Sequence, residues 1–297
     1  MELSEAHWSL DYDGEDFSVD VQGNEIKGCK WTPSDSEPRY VYIFVHGLGV
    51  FSTFKRDFFD VILGHGGVVY ATDHYGHGRS PGPRISGTID MYIEETANVI
   101  AKAKGEYPLL PIIVHGHSMG GLTILALAAK HPRLVQSSVK AFVAEAPWLS
   151  TCEERELSKT KLGILNFVKP LIGNMSIKTG VDPYVPEEDP NWVEIMKAHP
   201  ENRETISPNL YTSVVEAQTL LWKPGVFPSD LPMLFLQSRV DKLVNPARNI
   251  EWIETLMGDG QHPLVKKIIF DDGSHVLLKT RNRPVAARAI LDFIEEN

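Results

Sequence analysis

Hydrophobic residues in this chain fall into short runs separated by longer periodic stretches. Phe17, Val19 and Val21 alternate with polar neighbours, the period of a half-buried strand, and Glu25 to Lys30 can pair with it. Four runs read as buried strands: Val41 to Val45, Val68 to Ala71, Leu109 to Val114 and Val139 to Ala144. Two more, Met233 to Leu236 and Val265 to Phe270, come late. Strands apolar on both faces belong to parallel sheets covered by helices. Helical periodicity fills Thr88 to Lys104, Met119 to Lys130, Pro246 to Met257 and Arg281 to Glu296. Asn245 followed by Pro246 offers an N-cap and a first-turn proline. The alternation predicts an α/β fold, a mostly parallel central sheet of about eight strands flanked by helices.

The alternation breaks once. From Trp148 to Asp230 no parallel-strand run appears, and Pro, Trp and Tyr are frequent. This stretch reads as a mostly helical insertion at the C-terminal edge of the sheet, over the ligand crevice. The expected division is a core of 1–147 and 231–297 with a helical cap, or lid, of 148–230.

Composition then removes alternatives. The chain has 297 residues, 42% of them hydrophobic, and carries 29 basic against 39 acidic residues for a net charge of −10. That is a globular composition and, without a Lys/Arg block, a poor match to nucleic-acid phosphates; no nucleic-acid partner is expected. Two cysteines, Cys29 and Cys152, make neither a disulfide framework nor a cysteine metal cluster. Glu2, Glu5, Asp11, Asp13, Glu15 and Asp16 crowd the first residues, unlike a signal peptide. No window holds 18 consecutive apolar residues, so no membrane span is expected, and the expected location is cytoplasmic.

Chemistry enters at Gly116-His117-Ser118-Met119-Gly120, a Gly-x-Ser-x-Gly pentapeptide. It follows the run ending at Val114 and precedes the helical pattern from Met119. That is the strand–turn–helix setting in which such a serine is exposed as a nucleophile. Side chains at Gly116 or Gly120 would clash with the neighbouring strand and helix. A serine nucleophile needs a base and an orienting carboxylate, and in a doubly wound sheet all come from loops at the C-terminal strand ends. Among 11 histidines, His275 follows the Val265–Phe270 run, whereas His262 precedes it. His117 lies within the turn and reads as pointing elsewhere. Asp241 follows the strand ending at Leu236, whereas Asp230 precedes it. Ser118, Asp241 and His275 also come in the chain order expected for this architecture. The loop after Val45 reads His46-Gly47-Leu48-Gly49, which lets the Leu48 N–H join that of Met119 in an oxyanion hole.

These residues resemble the α/β-hydrolase superfamily, in particular monoacylglycerol lipases, lysophospholipases and serine aminopeptidase-like hydrolases. The resemblance rests on His46 to Gly49, Asp73-His74-Tyr75-Gly76-His77-Gly78-Arg79-Ser80, Gly116 to Gly121, Asp241 with Leu243-Val244, and Gly273-Ser274-His275. It implies that the Asp73–Ser80 loop is a structural turn near the site floor, not a metal site. It also implies that 148–230 is a lid bordering an acyl tunnel and touching membranes transiently. One departure stands out: where monoacylglycerol lipases carry a Glu and a His that recognise the glycerol head, this chain has Val50 and Phe51. Those two, with Trp148, Leu165, Val168 and Leu171, are the expected substrate-binding residues. Pro170 should kink the apolar stretch Lys161–Ser176.

The expectation is therefore a serine carboxylester hydrolase for lipid-like or medium-chain acyl esters, monoacylglycerol lipase-like, working through an acyl-enzyme without cofactor or metal. The alternatives are a serine aminopeptidase, needing a lid carboxylate such as Glu153, Glu154, Glu187, Glu188 or Asp189, and an acyltransferase. A ligand-binding module without catalysis is opposed by the intact nucleophile, base and acid.

Overall fold

The structure, a computed structural model, describes residues 10–179, 189–258 and 260–297. In chain order the elements are β1 (Glu15–Val21), β2 (Asn24–Trp31), β3 (Tyr40–Val45), α1 (Arg56–Gly64), β4 (Gly67–Thr72), α2 (Ile89–Glu106), β5 (Ile112–His117), α3 (Met119–Lys130), α4 (Pro132–Ser138), β6 (Ala141–Glu145), α5 (Lys159–Ile172), β7 (Ile177–Lys178), α6 (Pro190–Ala198), β8 (Thr205–Ile206), α7 (Pro208–Leu221), β9 (Met233–Ser238), α8 (Pro246–Gly258), β10 (Val265–Phe270) and α9 (Arg283–Glu296). Eight strands make one sheet in the order β1-β2-β4-β3-β5-β6-β9-β10. β1–β2 and β2–β4 are antiparallel, and the remaining pairs are parallel.

Alternation along each strand divides the interior in two. Val41, Ile43 and Val45 of β3 point into one core with α2, α3 and α7. Tyr42 and Phe44 point into the other, with α1 and α9. Both sides of the central strands are covered, so β3, β4 and β9 are buried along their whole length. β3 sends its chain to β4 on one side, while β5 lies on the other. The crevice at this switch point, beyond the C-terminal ends of β3 and β5, is where ligands settle in such sheets.

One strand start differs by several residues from the pattern. β5 begins at Ile112, not Leu109, because Leu110 N–H bonds back to the Tyr107 carbonyl at 3.2 Å in a turn that leaves Leu109 93% exposed. α1 and α4 are short helices of nine and seven residues that the pattern does not predict. Between 148 and 230 the described strands are the two-residue antiparallel pair β7 and β8. The helices there differ. α7, capped by the Ser207 hydroxyl on Leu210 N at 3.2 Å, buries Leu210, Val214, Ala217 and Leu221 in the main core. α5 buries no residue, and Pro170 lies inside it.

Under the C-terminal edge of the sheet, Lys55 and Glu145 form a fully buried ion pair. His115 adds a 2.9 Å contact to the same carboxylate oxygen, and Tyr42 hydrogen-bonds the far side of that imidazole. Burial alone would raise the Glu145 carboxyl, but the Lys55 charge and the His115 hydrogen bond hold it well below the carboxylate range. Removing one partner strands a buried charge, at a cost of about 3–5 kcal/mol. Lys55→Met should lose that much stability in urea unfolding, and adding Glu145→Gln should restore a large part of it. A single variant as stable as the parent would refute the pairing.

Candidate active site

Ser118 joins β5 to α3 at φ 56°, ψ −116°, backbone that a residue with a Cβ rarely adopts. It is held from three sides. Its N–H donates to the Glu145 carbonyl at 3.0 Å, and its carbonyl accepts from Leu122 N and Trp148 N, both at 3.0 Å. The glycines beside it answer to close approach: a Cβ at Gly116 would lie 2.4 Å from the Gly120 carbonyl oxygen, and one at Gly120 would lie 2.0 Å from that of Val45.

His275 and Asp241 meet from the loops after β10 and β9. His275 Nδ1 lies 2.8 Å from Asp241 Oδ2. The carboxylate is held further by Gln237 Nε2 at 3.1 Å on Oδ2, and by Leu243 N at 2.8 Å and Val244 N at 3.2 Å on Oδ1. Asn249 in turn donates to Gln237 Oε1 at 2.8 Å. Every contact on the carboxylate is a donor. This orders it as an acceptor for the imidazole Nδ1–H and leaves Nε2 as the basic nitrogen.

Ser118 and His275 line one cavity of about 230 Å³. Among the described residues no hydrogen bond joins Ser118 Oγ to the His275 ring; such bonds are often long before substrate binds. Leu48 also lines the cavity. Gly47 packs so closely that a Cβ there would come within 3.1 Å of Ser118 Cβ. Among the described residues neither the Leu48 nor the Met119 N–H has a hydrogen-bond partner. The arrangement offers a hydroxyl, a carboxylate-oriented imidazole and, beside the hydroxyl in the chain and on the cavity wall, two amides without partners among the described residues, a set able to perform nucleophilic acyl transfer.

The walls differ from the sequence expectation. Val50 and Trp148 line the cavity. Phe51 does not: successive extended residues point opposite ways, and Phe51 is fully buried, stacked on His199 with ring centroids 4.2 Å apart. Leu165, Val168 and Leu171 do not line it either. α5 turns Lys169 towards α7, donating to Thr212 Oγ1 at 3.2 Å, and leaves Leu171 89% exposed. Sequence reasoning missed Trp192 and the polar edge of Asn202, Arg203 and Glu204, which carry no motif. It also misplaced His117, which faces the cavity. The reversed backbone at Ser118 breaks strand alternation and opens both neighbours to one side.

The Asp73–Ser80 loop is internally bonded. Asp73 accepts from Ser52 N at 2.7 Å and Arg79 N at 2.9 Å. His74 engages Glu95 at 2.9 Å. His46 donates from Nδ1 to the Gly47 carbonyl at 2.8 Å and accepts the His74 N–H at Nε2, 3.0 Å away. Burial pushes His77 down to about 3, so this imidazole is neutral.

A family model described as serine aminopeptidase, S33 matches residues 36–281, most of the chain. The chain belongs to this family. As a member it is an α/β-hydrolase in fold, and its similarities are to lipases. A monoacylglycerol lipase of Mycolicibacterium smegmatis is 36% identical over 113 residues, covering 38% of this chain and 40% of that protein. The match thus spans about two fifths of that relative. The crystal structure of a Paleococcus ferrophilus monoacylglycerol lipase superposes with a TM-score of 0.77 at 21% identity, covering 92% of this chain and 100% of that one. A soluble variant of monoglyceride lipase from Saccharomyces cerevisiae, in complex with a substrate analog, gives 0.79 at 14% identity over 98% and 97%. The two structures share the fold.

Gly49 ties the loop after β3 to the stretch above it. Its carbonyl accepts the Arg203 N–H at 2.8 Å, its φ is +74°, and a Cβ would lie 2.0 Å from the Arg203 carbonyl oxygen. Gly49→Ala should therefore cost about 1–3 kcal/mol. Gly163→Ala, on α5 with open space around it, should gain a few tenths to about 1 kcal/mol. Thermal unfolding of the two variants reads both signs; a neutral Gly49→Ala would contradict the contact.

Proposed function

We propose that the chain is a serine carboxylester hydrolase for lipid-like or medium-chain acyl esters, in the manner of a monoacylglycerol lipase. The observation that carries the reading is the Asp241–His275 pair at 2.8 Å, opening with Ser118 onto one cavity walled by Leu48, Phe54, Trp148, Trp192 and Val244. Family membership and the lipase relative support it.

In this reading Ser118 Oγ attacks the acyl carbon while His275 Nε2 takes its proton. The oxyanion lies between the Leu48 and Met119 N–H groups, each worth about 3–4 kcal/mol to the transition state. The tetrahedral adduct expels the alcohol, which takes the proton back from His275. Water then attacks the acyl-enzyme with His275 again as base, and the carboxylic acid leaves. Asp241 keeps the imidazole in the productive tautomer and steadies its charged form. The cycle calls on no cofactor and no metal. The apolar wall takes the acyl chain, and Asn202, Arg203 and Glu204 give the head group the polar contacts that Val50 and Phe51 lack.

One observation favours a second reading. An aminopeptidase needs a carboxylate for the substrate ammonium, and Glu204 lines the cavity. The carboxylates named from sequence are elsewhere: Glu153 and Glu154 are exposed on a short turn, Asp189 caps α6 through Asn191 N and Trp192 N, and Glu187 and Glu188 lie outside the described residues. The apolar walls and the lipase relative favour the ester.

For partners, we propose a small acyl ester and a transient contact of α5 with a lipid surface. Ile164, Phe167 and Leu171 are 60%, 86% and 89% exposed and fall on one side of α5, and Met175, just beyond the helix, is 58% exposed. Among the described residues no helix is long and apolar enough to cross a membrane. The net charge of −10 disfavours anionic lipid.

Purified enzyme should turn over p-nitrophenyl esters faster than aminoacyl amides, and Ser118→Ala should lose at least about 10³-fold in kcat. Undiminished ester turnover in the variant would reject the assignment, and faster amide cleavage would move it to the aminopeptidase. Ile164→Glu/Phe167→Glu should leave soluble-ester turnover intact. On ester dispersed in phosphatidylcholine vesicles its rate should fall by more than about tenfold, each side chain representing about 1.5–3 kcal/mol of burial. Equal rates on vesicles would remove the surface contact.

A further inference from the structure

Beside the base lies a second buried histidine that the cycle above does not use. His117 ends β5, immediately before Ser118, and is 3% exposed in the cavity wall. Its Nε2 lies 3.3 Å from the backbone carbonyl oxygen of His275, and the two rings are 4.9 Å apart, tilted by 54°. A carbonyl only accepts, so Nε2 bears the proton and Nδ1 is bare. Nδ1 has no hydrogen-bond partner and faces the loop after β3, where a Cβ on Gly47 would come within 3.3 Å of it. Phe54 stacks on the ring at 5.6 Å.

We infer that His117 is a positioning residue for the base: its N–H holds the His275 backbone against the nucleophile turn and so sets the reach of the imidazole towards Ser118 Oγ. The inference rests on the proposed serine chemistry. Asp241 fixes the tip of His275, but the tip alone does not place the ring, because the loop carrying it lies beyond the last ladder bonds of β10. Other holds on that loop grip residues beside His275: Ser238 Oγ reaches the Asp272 carbonyl at 3.2 Å and the Gly273 carbonyl at 3.5 Å, Asn282 Nδ2 donates to the Asp272 carbonyl at 2.9 Å, and Val276 N–H bonds Ser274 Oγ at 3.1 Å. The His117 bond reaches across 158 positions and ends one residue from the nucleophile. It is the shortest bonded route between the two reacting side chains among the described residues. The ring also remains neutral. Burial pushes it well below its ordinary range, the Lys55 ammonium adds to this, and Glu145 and His275 are the other charged or titrating groups bearing on it. A neutral ring keeps its bare nitrogen and single donor, and it does not oppose the positive charge His275 acquires during reaction.

The test compares wild type, His117→Phe and His117→Gln by three readouts: the rate of covalent labelling by a fluorophosphonate probe, kcat and KM on a soluble ester, and thermal unfolding. Phenylalanine keeps the flat ring between Phe54 and His275 but has no donor; glutamine restores an N–H. His117→Phe should label more than about tenfold more slowly than wild type, and on the soluble ester the loss should fall on kcat and not on KM. His117→Gln should recover most of the rate. His117→Leu replaces the Phe variant if the latter does not fold. A donor-less variant that is folded and labels at the wild-type rate overturns the inference; so does glutamine giving no recovery. Failure of the wild type itself to label overturns the serine reading, and the inference with it.

Discussion

Ser118 sits in backbone space that costs about 1–3 kcal/mol for a residue with a side chain, and three hydrogen bonds oblige it to stay there. Each comes from a different part of the sheet's upper edge: Glu145 from β6, Leu122 from α3 and Trp148 from the segment beyond β6. The close approach of Gly120 to Val45 of β3 supplies a fourth constraint. A hydroxyl held this way is exposed at the end of a strand and stands at the amino end of a helix, where the amides are unpaired and the dipole favours negative charge. The conformation that is costly locally is also the one that presents the hydroxyl. The buried Lys55–Glu145 pair lies under the same turn, so the residue whose carbonyl secures Ser118 is itself anchored from below.

Around that fixed point the molecule divides its labour between sheet and insertion. Strand ends carry the imidazole, the carboxylate and the amides, because the C-terminal edge of a parallel sheet brings distant loops together. The stretch from 148 to 230 supplies walls, and it does so unevenly. α7 is packed into the main core. The segment around residue 203 closes on Gly49 and sets His199 against Phe51. α5 holds on through Lys169 and shows its apolar side outward. The loop that offers the Leu48 amide is therefore braced by the insertion, and any movement of the insertion is felt there.

Much of this was legible in the chain. Strand runs such as Val41–Val45 and Val68–Ala71 are apolar on both faces and stand within a residue or two of the observed elements. The site of Ser118 followed from the Gly-x-Ser-x-Gly turn between a strand and a helix, and those of Asp241 and His275 from one rule, that functional loops lie after strands and not before them. That rule separated His275 from His262 and Asp241 from Asp230, and the structure brings the chosen pair to hydrogen-bond distance. The pocket was much less legible. Phe51 and Val50 are neighbours with the same character, yet one is stacked under His199 and the other lines the cavity. Leu165, Val168 and Leu171 have the composition of a pocket wall and sit on a helix that buries none of its residues.

What the sequence determined by itself was local and periodic: which segments bury both faces, where a strand must turn sharply into a helix, and which loops follow strand ends. Those properties depend on near neighbours and on the fixed geometry of strand and helix. Tertiary structure decided the rest. The side to which His117 turns depends on the reversed backbone of the next residue. The identity of the cavity's polar edge depends on how an insertion without regular strands lies across the sheet. Such choices rest on contacts between residues more than a hundred positions apart, and no periodicity along the chain encodes them.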